Sequence, residues 1–193
     1  MRDELVLDVE TKKSFQEVGG KGNMHLLGVS VVGVYSYQAD KFFAFEEHQF
    51  PELENMLASA GRVIGFNSKH FDFPVLQPHL RVDLRQVGHL DLMEDVERGA
   101  GFRISLDNLA QASLGVGKSG NGLQAITWWR EGNIEAIKKY CLDDVRITRD
   151  LYEYGKKHGS VAFNSRDTRA KVTVLVSWAV VPPELLHAQE RLF

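Results

Sequence analysis

The chain has 193 residues, 44% of them hydrophobic and 25% charged, which is enough apolar material to bury one sizeable core and excludes a disordered or fibrous chain. No apolar run is long enough to cross a bilayer, and the N-terminus opens into a strand pattern rather than a signal-peptide layout, so a cytoplasmic protein without membrane attachment is expected. The formal net charge of -3 argues against a nucleic-acid binder held by bulk positive charge, while a single cysteine, Cys141, excludes an intramolecular disulfide and a cysteine-based zinc site.

The first pattern in the chain is LVLDVET, from Leu5 to Thr11. As a strand it sends Leu5, Leu7 and Val9 to one face and Val6, Asp8 and Glu10 to the other. Two carboxylates on an apolar strand fit an edge strand with its acids in water. They also fit a hard divalent cation bound by oxygen, which needs further carboxylates from elsewhere in the chain. A polar loop from Lys12 to Met24 follows and reads as mobile. Leu27 to Tyr37 and Phe42 to Phe45, rich in β-branched and aromatic residues and separated by Gln38-Ala39-Asp40-Lys41, read as a hairpin pairing with the first strand. Pro51 opens a helix running to about Ala60, and Arg62 to Phe66 reads as a short buried strand. Helix signals then fall at Phe71 to Leu80, Leu92 to Arg98 and Leu106 to Leu114. A glycine-rich loop at Gly115 to Gly122 leads to a short helix at Gln124 to Arg130 and a long one from Asn133 to about Lys157. Val161 to Trp178 carries two strand-like runs, and Pro182-Pro183 precedes a last short helix. Strands followed by alternating helices and strands predict an α/β fold with a mixed sheet. The first strand is then central, with Asp8 and Glu10 at its C-terminal end, where such sheets bind ligands.

Two more acidic signals stand downstream. In Gly65-Phe66-Asn67-Ser68-Lys69-His70-Phe71-Asp72-Phe73-Pro74, Asp72 precedes a helix whose first turn holds Pro74, so a plain N-cap accounts for it, as a plain turn accounts for Asn67. In Tyr140-Cys141-Leu142-Asp143-Asp144-Val145, helical periodicity puts Cys141 in an apolar stripe with Ile137 and Val145. Tyr140 and Asp144 flank that stripe, and Asp143 is turned to solvent. A carboxylate on the packed side needs a partner, whether an arginine or a cation.

LDVET, NSKHFDFPVL and YCLDD, in this order and at these separations, resemble the three motifs of the DEDD superfamily of 3′-to-5′ exonucleases. The match is to the tyrosine subclass, because Tyr140 stands four residues before Asp144, while Lys139 occupies the position where the histidine subclass has its histidine. The resemblance covers residues 4 to 157 and is to the branch holding the exonuclease domains of family B polymerases and their stand-alone relatives. It implies a ribonuclease H-like fold, a mixed five-stranded sheet flanked by helices, with a nuclease domain over residues 1–159. Residues 160–193 lie beyond the motifs, and their alternating run reads as an accessory hairpin and helix that covers a sheet edge or holds a partner.

The resemblance also implies two divalent ions, Mg²⁺ or Mn²⁺. Asp8 would bridge them, Glu10 and Asp144 would complete the site that activates water, Asp72 would support the second ion, and Tyr140 would orient the attacking water. Thr11, Asn67, His70 and Phe71 are the implied substrate contacts. The implied substrate is a single-stranded 3′ end, DNA favoured over RNA, in a repair setting with a helicase or polymerase as candidate partner. A non-catalytic ribonuclease H-like module that binds nucleic acid or a partner is the alternative. Gly117-Lys118-Ser119 is no phosphate loop, since Ala112 stands where the pattern needs a glycine and a helix precedes it. Lys118 is kept as a candidate for a substrate phosphate, beside its reading as a solvated lysine. Trp128 and Trp129 could stack on a base, but at helix spacing at least one of them reads as core, and Asp91 and Asp107 read as helix caps.

Overall fold

The computed structural model describes residues 2–117 and 122–178. Five strands, β1 (Glu4–Thr11), β2 (Val29–Ser36), β3 (Lys41–Phe45), β4 (Arg62–Gly65) and β5 (His89–Asp91), form one sheet in the order β3-β2-β1-β4-β5. The meander β1 to β3 is antiparallel, and β4 and β5 run parallel to β1, so the sheet is mixed and β1 is its central strand. Central position explains why β1 is apolar on both faces apart from its acids. Leu5, Leu7 and Val9 join a core beneath α1 (Phe50–Ser59) and α2 (Asp72–Leu76). Val6, on the opposite face, joins a second core with α3 (Leu92–Ala100), α4 (Leu106–Leu114) and α6 (Ile134–His158). A smaller cluster under α5 (Gly122–Arg130) holds Ala125 and, partly buried, Trp128 and Trp129, the core role expected of at least one of those rings.

The strand β5 was invisible as a pattern: three residues, His89-Leu90-Asp91, offer no alternation, and β4 makes them a strand by pairing. Asp91 caps α3 as expected, accepting from the N–H groups of Met93 and Glu94. Asp107 is not a cap. Ser105 fills that role for α4, and Asp107 accepts from Gln111 one turn on. The helix expected from Phe71 to Leu80 is only α2 followed by a 3₁₀ turn at Gln77–His79, because Pro78 has no N–H to continue the ladder. The polar loop after β1 is anchored. Lys12 and Lys13 donate to the carbonyls of Gly28 and Leu27, and Phe15 and Val18 pack into the first core.

The tail folds as β6 (Ser160–Asn164) and β7 (Lys171–Leu175), a separate two-stranded sheet that packs on α3, α4 and α6 instead of lying along an edge of the five-stranded sheet. Its outer edge at β6 is satisfied by side chains of α4: Asn108 exchanges two hydrogen bonds with Asn164, and Ser113 two with Ala162. Beyond β7, Trp178 is buried on α6, where a side chain at Gly155 would meet its ring at 2.2 Å. Lys118 and the expected helix after Pro182-Pro183 lie outside the described residues.

Candidate active site

Asp8 and Glu10 leave β1 on the face that α6 crosses. Opposite Asp8 in the ladder stands Gly33 of β2, and α6 lies directly over it: a methyl group there would fall 2.8 Å from the Cys141 sulfur and 2.9 Å from a Val145 methyl. The missing side chain lets α6 descend onto the sheet and brings its acidic edge to β1. Gly33→Ala is therefore expected to lift α6, costing about 1–3 kcal/mol of stability by overpacking and displacing Tyr140 and Asp144 from β1. Thermal melting and activity of that variant should fall together. A β-bulge follows at once, where the register shifts between Glu10 and Thr11 and leaves Ser30 as the extra residue of β2, turning the end of β1.

On α6, Tyr140 and Asp144 stand one turn apart and are 4% and 3% exposed, whereas Asp143 faces outward in an ion pair with Arg146 at 2.6 Å. The helical reading of that stripe holds. Asp72 does not cap its helix. Its carboxylate reaches across to β1 and accepts the N–H of Val9 at 2.8 Å, which sets it between the two acids of that strand. Three segments far apart in sequence thus deliver Asp8, Glu10, Asp72, Tyr140 and Asp144 to one cleft of about 580 Å³. Thr11 and Phe71 line it too, and the Thr11 hydroxyl donates to the carbonyl of Lys13. Asn67 and His70 are not in this cleft but in a groove beside it, which Phe71 also lines. Lys13 and Phe15 line the cleft and carried no motif that could have marked them.

The electrostatics of the cleft are those of crowded carboxylates. Burial, then the charge of Asp8, push the Asp72 carboxyl well above its ordinary value despite the hydrogen bond from Val9. The Tyr140 phenol is raised by burial and by Asp144, Glu10 and Asp8, so it stays protonated. Cys141 is core as expected, but its sulfur also lies 3.6 Å from a carboxylate oxygen of Asp8. Burial and the nearby acids keep it a thiol. One ligand atom each from Asp8, Glu10 and Cys141 falls within 4.8 Å of the others. With Asp72 and Asp144 in the same cleft and the thiol protonated, the donor set is oxygen-rich and suits a hard divalent cation.

A family model described as the RNase_H superfamily matches residues 5–179. The chain belongs to the RNase H superfamily. Its five-stranded mixed sheet with flanking helices is the expected fold of that superfamily, whose nucleases use divalent metals and act on nucleic acid. No curated protein matches the sequence. Among solved structures, the chain is similar to the family B DNA polymerase from the hyperthermophilic archaeon Pyrobaculum calidifontis, with a TM-score of 0.59 and 19% identity over 80% of this chain and 24% of the polymerase. At that identity the likeness is one of fold, and the chain spans about a quarter of the polymerase's length. Among the described residues of this RNase H superfamily domain, no helix is long and apolar enough to cross a membrane.

Proposed function

We propose that the chain is a 3′-to-5′ exonuclease of the DEDD superfamily, tyrosine subclass, hydrolysing phosphodiester bonds at single-stranded ends. The observation that carries this reading is the convergence of Asp8, Glu10, Asp72 and Asp144 from β1, α2 and α6 into one cleft, with Tyr140 on the same helical edge as Asp144. The four carboxylates would hold two divalent ions, Mg²⁺ or Mn²⁺, which when bound supply an activated water nucleophile and offset charge on the leaving oxygen. Tyr140, kept neutral by burial and its acidic neighbours, presents a phenolic hydroxyl to the attacking water and orients it. Asp72, held by the Val9 N–H, keeps its carboxylate aimed at the strand that carries Asp8 and Glu10. Phe71, set edge-to-face against Phe15 at 5.8 Å, offers an aromatic wall to the terminal base, and Thr11 borders the same space. DNA over RNA, and a helicase or polymerase as partner, follow from the resemblance of the motifs alone. The proposed nuclease domain is residues 1–159, which contain every one of these side chains, with residues 160–193 as an accessory extension.

Digestion of end-labelled single- and double-stranded DNA and RNA with Mg²⁺ or Mn²⁺ tests the reading. Products should shorten from the 3′ end, and circular single-stranded DNA should survive; rapid cutting of closed circles would show the polarity to be wrong. Tyr140→Phe is expected to lower kcat by roughly 10²-fold or more while changing substrate affinity little, since phenylalanine keeps the ring that packs against Trp128 and removes only the hydroxyl proposed to act in the transition state. Equal losses in kcat and affinity would assign the tyrosine to binding instead.

A further inference from the structure

A second groove, of about 460 Å³, adjoins the acidic cleft, and Phe15 and Phe71 line both. Its chemistry is of the opposite sign. Lys21 comes from the 3₁₀ stretch after β1, His70 from the β4–α2 connection, and Arg103 from the segment joining α3 to α4; all three are exposed. Lys21 has no ion-pair partner among the described residues. The Arg103 guanidinium donates to the Asn67 side-chain oxygen at 2.5 Å and pairs with Glu97 at 3.3 Å. Asn67 itself is fixed at φ 65 and donates its N–H to Asp91, so the arginine is mounted on an anchored turn. Glu97 is the single acid lining this groove, against four in the cleft next door.

We propose that this groove holds the nucleotides upstream of the 3′ terminus, with Lys21 and Arg103 meeting their phosphates. The inference rests on the nuclease reading above and extends it to the path of the strand. A strand whose last nucleotide lies among the acids must place its next phosphates close by. Lys13 lines the cleft itself, and an adjoining surface that offers two further cations is the groove sharing Phe15 and Phe71 with it, rings on which a base can stack. The contact between Arg103 and Glu97 is no obstacle, because both side chains are about half exposed and such a pair yields readily to a phosphate, which the guanidinium fork grips with two N–H groups. Glu97 therefore competes with substrate for Arg103, which gives the proposal a signature of opposite signs.

Binding of fluorescein-labelled single-stranded oligonucleotides, measured by anisotropy in EDTA so that no turnover occurs, reads the groove directly. Lys21→Ala with Arg103→Ala is expected to weaken a six-nucleotide strand roughly tenfold and to flatten the dependence of log Kd on log salt by about 0.7 for each phosphate contact removed. Glu97→Gln should tighten the same strand severalfold, and a dinucleotide should be insensitive to all three changes. Unaltered affinity and salt slope in the double variant, with the wild type degrading single strands from the 3′ end, would overturn the groove and leave the nuclease reading standing. A wild-type protein that neither binds nor degrades any strand would remove both.

Discussion

Asp144→Asn is expected to reduce nuclease activity by more than about 10³-fold, while Asp143→Asn, one residue earlier, leaves it within a factor of about two. The two aspartates have the same chemistry and nearly the same place in the sequence, but one helical step of about 100° separates them. Asp144 is buried at the cleft beside Tyr140, where its carboxylate is one of the four proposed to hold two divalent ions. Asp143 lies on the outer face and pairs with Arg146, an exposed i,i+3 contact of the kind that contributes under about 1 kcal/mol. Asparagine keeps the size of either side chain, so neither substitution disturbs the packing of α6. Steady-state rates on an end-labelled single strand decide it, and comparable losses from both variants would mean that the face of α6 does not set the site.

That contrast was legible in the sequence because it depends only on local periodicity. The same holds for β1, where alternation separates Leu5, Leu7 and Val9 from Asp8 and Glu10, and both cores follow that division. What escaped the sequence is what depends on chain segments meeting. Asp72 looked like an N-cap because its neighbours suit one, yet its acceptor is spent on Val9, 63 residues away. Cys141 was readable as core, and its approach to Asp8 was not, since it depends on Gly33 of a third segment leaving room for α6. The hairpin β6–β7 was visible in its alternating run. Its seat on α3, α4 and α6 is determined by Asn108, Ser113 and Gly155, polar or small residues whose partners no pattern announces. Arg103 carries no motif at all and becomes informative only when Asn67 and Lys21 are seen around it.

The metal-free protein is expected to be destabilised by its own acids, and Asp72 is the residue on which this can be measured. Its folded-state pKa is raised by burial and by Asp8, so folding favours the protonated form. The sign follows from linkage. The contribution of Asp72 is fully present below its unfolded pKa, near 3.9, and is lost as pH rises toward and through the raised folded value. Asp72→Asn removes the charge and keeps an oxygen to accept the Val9 N–H. Its melting temperature in EDTA should therefore exceed that of wild type by a margin that widens from mildly acidic to neutral pH. Other carboxylates such as Glu46 and Glu94 are lowered by lysine partners and pull the opposite way, but they are common to both proteins and cancel in the difference. Asp72→Ala behaves differently, because it removes the charge and also strands a buried N–H, at a cost of about 1–3 kcal/mol. Mn²⁺ should raise the wild-type melting temperature by several degrees, since a ligand at a hundredfold excess over Kd adds about 2.7 kcal/mol, and the asparagine variant should lose most of that shift. An acid placed for structure alone would give the reverse order, with asparagine no more stable than aspartate at neutral pH and both proteins indifferent to Mn²⁺.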